Sequence, residues 1–409
     1  MTRSTTLPSG LRVVSQTMPG LETAAVALYA DSGSRHEPAW VNGLAHLFEH
    51  MVFKGAGERS AREISEAIED VGGDLNAATD RDTTSFSASV MGEHAGLAVE
   101  LIADMLLRPR FDADDLEREK EVVLQELAEA CDTPSDIIFD ELWAAAFPDQ
   151  PLGRSILGSE TSIAAITVAD LHAWRADHYR GGNLILAAAG QVEHDALVAL
   201  AEEHLADLPP GPAMVKAEPA RFGGGRRIGT AKADQAQITL AFEAPAELAN
   251  DYFAARLFAD AVGGGASSRL FQELREDRGL AYSVSATVHP YADTGMFYVH
   301  AATARRDAAA AIGMIERLLA AAPGEISQRE LDRVRMRARA GLLMALETPW
   351  GQASYAARQL AVYGRLVEPA EVIEQLNAVT LKQLREAGAR MVAGPSARAT
   401  IGVPAARAA

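Results

Sequence analysis

The stretch LAHLFEHMVFKG, residues 44–55, sets His46, Glu49 and His50 inside an apolar run. Two imidazoles and a carboxylate are costly to bury without partners, so they need something to face. Leu44, Leu47, Phe48 and Met51 recur at helical intervals. On a helix His46 and His50, four apart, project from one face on successive turns. Two such nitrogens can grip one metal ion, and Glu49 lies on the neighbouring part of that face, within reach of a water held there. The chemistry is specific: zinc takes neutral imidazole nitrogen, a catalytic zinc needs three protein ligands and an open position, and a nearby carboxylate can take a proton from water.

A third ligand is then required. The stretch DADDLEREKEVVLQELAEACD, residues 112–132, reads as a helix on which Glu119 and Glu126, seven apart, share a face two turns long. Val122, Val123 and Leu124 between them mark a buried portion. Acidic helices commonly present solvated faces, so spacing alone leaves open whether either glutamate ligates a metal.

The elements that must position these groups are mixed. TAAVALYA, TTSFSASV and NLILAAAG in the first half, and AQITLAF, AYSVSATV and GMFYVHAAT in the second, read as strands among longer helical patterns, an α+β organisation. Pro and Gly concentrate in LADLPPGPAMVKAEPARFGGGRR, residues 205–227. This break predicts domains at 1–210 and 228–409 joined by a linker at 211–227. The halves also resemble each other. AHLFEHMVFKG (45–55) laid over ARLFADAVGGG (255–265) matches Ala, Leu, Phe, Val and Gly without a gap. Arg256, Ala259 and Asp260 then stand where the first half has His46, Glu49 and His50. The apolar scaffold repeats and the polar trio does not, as expected of a duplicated domain with one specialised copy.

Composition bounds the remaining choices. The 409 residues are ordinary for a globular chain, with 48% hydrophobic and 23% charged. The N-terminus lacks an apolar signal region, and no apolar run approaches a membrane span, which predicts a cytoplasmic protein with no membrane partner. One cysteine, Cys131, excludes an internal disulfide framework and fits a reducing compartment; it closes a helical pattern and reads as structural. The net charge of −18 repels nucleic acid and attracts basic partners.

His46, Glu49 and His50, followed downstream by Glu126 in REKEVVLQELAEACDTPSD, resemble the signature of the pitrilysin/insulinase family of zinc metallopeptidases, in its two-domain branch of the mitochondrial processing peptidase type and its small bacterial relatives. The resemblance implies two homologous domains, each a mostly antiparallel sheet with helices packed on it, assembled as a clamshell dimer. It implies one Zn²⁺ per chain held by His46, His50 and Glu126, with Glu49 activating water and Glu119 supporting the site. In GGDLNAATDRDTTSFSASV it assigns Asn76 and Ala77 to a strand lying along the substrate backbone. In LFQELREDRGLAYSV the seven-residue interval selects Arg275 and Tyr282 as the substrate-binding pair, donors to a carbonyl or developing oxyanion. Relatives often carry Tyr where this chain has Phe86, a departure that leaves the ligand set intact.

The expected activity is therefore zinc-dependent cleavage of peptides or unfolded segments inside a closed chamber by a homodimer. A silent structural subunit is the rival and predicts missing ligands, whereas this chain has all of them. An active subunit paired with a motif-poor partner is a third possibility. The zinc motif and the Arg/Tyr pair in one chain argue instead for self-association.

Overall fold

The computed structural model describes residues 2–212 and 217–404. The first half contains strands β1 (Thr2–Thr6), β2 (Arg12–Thr17) and β3 (Thr23–Ala30), helix α1 (Leu44–Val52), a small hairpin of β4 (Gly55–Ala56) and β5 (Arg59–Ser60), and α2 (Ala61–Glu69). These are followed by β6 (Asp74–Thr79), β7 (Thr84–Met91), α3 (Ala95–Leu107), α4 (Ala113–Asp132), α5 (Pro134–Ala146), α6 (Glu160–Ala165), α7 (Val168–His178), β8 (Leu184–Gly190) and α8 (His194–His204). The second half contains β9 (Gly225–Gly229), β10 (Gln235–Ala244), α9 (Tyr252–Gly263), β11 (Ser283–Pro290), β12 (Gly295–Ala304), α10 (Ala308–Glu325), α11 (Gln328–Ala345), α12 (Pro349–Tyr363), α13 (Pro369–Ala378), α14 (Leu381–Ala393) and β13 (Ser396–Ile401). Among the described residues no helix is long and apolar enough to cross a membrane.

Each half builds one large sheet, and the two have the same wiring apart from an extra edge strand, β1, in the first. The first runs β6-β7-β3-β8-β2-β1 and the second β11-β12-β10-β13-β9. In both, the pairs are antiparallel except β2 with β8 and β9 with β13, which are parallel. The duplication read from eleven residues thus extends to strand order and direction, and the fold is α+β with mostly antiparallel sheets.

Strand β8 is buried along its whole length, which explains why LILAAAG is continuously apolar rather than alternating. Leu184, Leu186 and Ala188 face the main core with Val26, Leu28, Leu47 and Phe48. Ile185, Ala187 and Ala189, with Val14, meet Ala353, Ala356, Ala357 and Leu360 of α12. Small side chains on α12 let it lie close to the strands. Its ends are well defined: the Thr348 hydroxyl accepts from the Gly351 amide, Pro349 occupies the first turn, and Gly364 closes the helix in the left-handed region. Tyr29 donates to Ser354 Oγ at 2.7 Å, and Arg12 donates to the Leu360 carbonyl at 2.6 Å.

The packing units are not the contiguous domains expected. Residues Leu343–Val367, carrying α12, belong to the unit built on the first sheet, and Ala128–Arg154, carrying α5, belong to the unit built on the second. In that second unit Ile138, Leu142, Trp143 and Ala146 pack with Ala241, Ala397, Ala399 and Ile401, and Trp143 Nε1 donates to Tyr291 Oη at 2.6 Å. Each sheet has two apolar faces, and each half supplies the helix covering the other's second face. An amphipathic pattern states that a helix needs a cover but not which sheet provides it. Of the expected linker, 213–216 lie outside the described residues, and Gly225–Gly229 form β9 rather than linker.

Candidate metal centre

The site begins with how α1 starts. Gly43, the residue before it, has φ 96° and no side chain to cap the helix, and a Cβ there would lie 2.8 Å from the Leu157 carbonyl. The Glu37 carboxylate caps instead, accepting from the Gly43 amide at 2.9 Å, the Ala45 amide at 2.7 Å and Asn42 Nδ2 at 2.7 Å. A buried anion thus satisfies the free N–H groups at the positive end of the helix. Leu44, Leu47, Phe48 and Met51 turn inward, which leaves the histidine face directed at α4.

The His46 and His50 rings are 4.7 Å apart between centroids. Their Nε2 atoms lie 3.8 Å and 3.6 Å from the same oxygen, Glu126 Oε2. Ligand atoms of His46, His50 and Glu126 all fall within 4.8 Å of one another, and this is the only such group among the described residues. His50 Nδ1 lies 3.1 Å from Glu119 Oε2, and Lys54 Nζ lies 2.7 Å from Glu119 Oε1. Burial, and secondarily the His50 charge, pushes the His46 imidazole down to about 4, so it is neutral near pH 7 with a lone pair free to donate. The donor set of two neutral-capable imidazoles and one carboxylate suits zinc.

Glu49 differs from the other carboxylates. Burial raises its carboxyl above the usual range, opposed by hydrogen bonding from Thr79 and by His50, while Glu126 adds to the rise. Its Oε2 is buried without a hydrogen-bond partner among the described residues. Glu49, His50, Phe53, Lys54 and Glu119 line a cavity of about 210 Å³. A buried carboxylate with an idle oxygen beside two imidazoles is equipped to accept a proton.

Thr79 ends β6, the outer strand of its sheet, which among the described residues pairs only with β7. Asn76 and Ala77 lie in this strand, and Asn76 Oδ1 accepts from the Ala77 amide at 2.9 Å. Arg275 and Tyr282 lie in the other unit. Arg275 belongs to a π-helical segment, Phe271–Asp277, with its guanidinium carbon 4.8 Å from the Phe271 ring centroid. Tyr282 is 59% exposed just before β11.

His46, Glu49 and His50 therefore share a face of α1 as their spacing suggested, and Glu119 and Glu126, which spacing left open and the resemblance implied, lie beside them. Two details of α4 differ: Val123 is fully buried but Val122 is 38% exposed, because neighbours on a helix point about 100° apart, and Cys131 is exposed rather than packed. Sequence reasoning passed over Lys54 and Glu37. Lys54, four beyond His50, could have been found from helical spacing. Glu37 leaves no signal, since it caps α1 from outside the usual capping position.

A profile of the insulinase family (peptidase family M16) matches residues 12–160, and one described as the peptidase M16 inactive domain matches residues 165–338. A Mycobacterium leprae protein named as an uncharacterized zinc protease is 36% identical over 391 residues, covering 93% of this chain and 87% of that protein. An Arabidopsis thaliana protein named as a probable mitochondrial-processing peptidase beta subunit is 34% identical over 395 residues, covering 92% and 74%. A crystal structure from Pseudomonas fluorescens, described as a peptidase M16 inactive domain, superposes with TM-score 0.92 over 100% of this chain and 99% of that one at 23% identity, a likeness of fold. The chain belongs to the insulinase family, peptidase family M16.

Proposed function

We propose that the protein is a zinc-dependent endopeptidase that hydrolyses peptides or unfolded segments within an enclosed chamber, working in the cytoplasm as a homodimer with one Zn²⁺ per chain. The observation that carries this reading is the convergence of His46, His50 and Glu126 within 4.8 Å, beside the idle buried oxygen of Glu49. Relatives named zinc proteases add to it. His46 and His50 Nε2 and the Glu126 carboxylate would hold the ion. When bound there, zinc supplies Lewis acidity that polarises a peptide carbonyl and makes a water more acidic. Glu49 Oε2 takes the proton from the attacking water and delivers it to the departing amine. Glu119 holds His50 through Nδ1, and Lys54 holds Glu119 against it. The free edge of β6, at Asn76 and Ala77, accepts an extended substrate through main-chain bonds that do not depend on its sequence. Arg275 and Tyr282 donate to substrate oxygens.

The test is cleavage of an unbiased peptide mixture, with fragments read by mass spectrometry, with and without a chelator. Internal cleavage that a chelator abolishes and added zinc restores is the expected result. Stoichiometric zinc with no cleavage of any peptide would favour a silent or partner-dependent subunit, and sedimentation separates these by size.

A further inference from the structure

The duplicated scaffold places a second pocket at the position that the metal centre occupies in the first unit, with different chemistry. Helix α9 corresponds to α1, so Arg256 and Asp260 stand for His46 and His50. Helix α11 corresponds to α4: the buried Leu116, Glu119 and Val123 are matched at the same spacing by the buried Leu331, Val334 and Ala338. Lys120 donates to the Ala164 carbonyl as Arg335 does to that of Val379. Glu119 and Glu126 are thereby replaced by Val334 and Gly341, which removes the metal-binding carboxylates. What remains is a cavity of about 460 Å³ whose lining includes Asp260, Gly265, Ser268, Glu330, Arg333 and Arg337.

Three features make this cavity selective. Ser268 is 4% exposed, and its hydroxyl has no hydrogen-bond partner among the described residues. Such a group costs stability unless something supplies a bond. The Arg337 charge acts on Asp260, lowering its carboxyl against the burial that raises it, and its guanidinium lies against Gly265, with Nη1 only 2.6 Å from where a Cβ would be. Arg333 has spent one donor on the Ser267 carbonyl at 3.3 Å. Glu330, by contrast, is closed off: it accepts from Arg269 at 2.7 and 3.1 Å and from the Ser327 amide and hydroxyl at 2.8 and 2.7 Å. Arg269 also pairs with Glu325 at 2.8 Å. Of the four charged residues in the cavity lining, Glu330 is thus taken up by Arg269 from outside it, which leaves the guanidiniums of Arg333 and Arg337 with the single carboxylate of Asp260 and one positive charge unmatched.

We infer that this pocket binds a carboxylate monoanion, such as the C-terminus of a short peptide, between Arg333, Arg337 and Ser268. Guanidinium pairs read planar carboxylates through paired donors. One unmatched positive charge suits a monoanion, whereas a phosphate dianion would confront Asp260. The volume exceeds a lone carboxylate and leaves room for the attached chain.

The probe is N-acetyl-trialanine, with its C-terminal amide as the neutral control and inorganic phosphate as the competing anion, titrated into the full-length zinc-loaded protein by calorimetry. Saturable binding of the carboxylate, with none of the amide and weaker binding of phosphate, is expected. Gly265→Ala adds a methyl where Arg337 Nη1 now lies and should push that flexible side chain aside while leaving the fold intact. Together with Ser268→Ala and Arg337→Gln, it should weaken the carboxylate about tenfold or more, the usual worth of a charged hydrogen bond. Circular dichroism and zinc content should be unchanged. Equal binding of carboxylate and amide, tighter binding of phosphate, or carboxylate binding that survives all three substitutions would overturn the inference. The last result would place the anion elsewhere, including at the metal, and none of these readouts depends on peptidase activity.

Discussion

Glu49 and Glu126 are carboxylates of one site with opposite surroundings. Glu126 is 41% exposed at its side chain and shares one oxygen between two imidazoles; Glu49 is buried with an oxygen to spare. Environments that separate two carboxylates in this way commonly separate their roles. Glu49→Gln keeps the shape and removes the basic oxygen, so zinc should bind normally while the rate falls by at least about 10²-fold, the lower end of general-base contributions. Removing a buried, under-bonded charge should also leave the melting temperature unchanged or higher. Near-normal turnover in a zinc-replete sample would sink the assignment. Glu126→Gln should lower zinc affinity against a competing chelator, whereas Glu129→Gln, exposed on the same helix, should not. Equal retention by both variants would move the third ligand elsewhere.

At the scale of elements, most strands were legible because their apolar runs are bounded and β-branched or aromatic: TAAVALYA is β3, residue for residue. The helix bearing His46 and His50 was legible because its apolar residues keep the helical interval. The capping of α1 by Glu37 was not, and neither was the anchoring of α7. At the end of α7, His178 is 2% exposed, stacks on Trp174 at 3.8 Å and shares a 2.5 Å hydrogen bond between Nδ1 and Ser32 Oγ. Burial, with the His36 charge adding to it, pushes its imidazole down to about 3. Because the folded-state value is depressed, the unfolded chain takes up a proton that the native chain refuses. Stability is thus fully present above the unfolded value of about 6.5 and is lost as pH falls from there toward 3. Between pH 7 and 5 this one residue should account for about 2 kcal/mol of destabilisation. Urea unfolding of His178→Asn should show a pH 7-to-5 loss smaller by about that amount, after allowing for a lower starting stability. An identical loss in both proteins would mean that His178 is protonated in place.

For the whole molecule, the duplication of the scaffold was legible, but the exchange of α5 and α12 was not. The exchange makes each half incomplete. A fragment of residues 1–212 lacks α12 and leaves Val14, Ile185, Ala187 and Ala189 without their cover. It also carries α5, with Ile138, Leu142 and Trp143 separated from the strands they bury against. The fragment from 217 onward has the converse defects. Burying a large aliphatic side chain stabilises by about 1.5–3 kcal/mol, and folded domains are stable by only about 5–15 kcal/mol. Several uncovered side chains on each sheet are therefore enough to prevent stable folding. Each fragment alone should bind a hydrophobic dye, associate at micromolar concentration and unfold without a cooperative transition. Co-expressed, the two should purify together in equal amounts, lose the dye signal and recover the zinc affinity of the intact chain. The zinc result is the informative one, because every metal-ligating candidate already lies within 1–212. If that fragment alone is monomeric, unfolds cooperatively and binds zinc as the full chain does, the exchanged helices are ornaments rather than parts of the core.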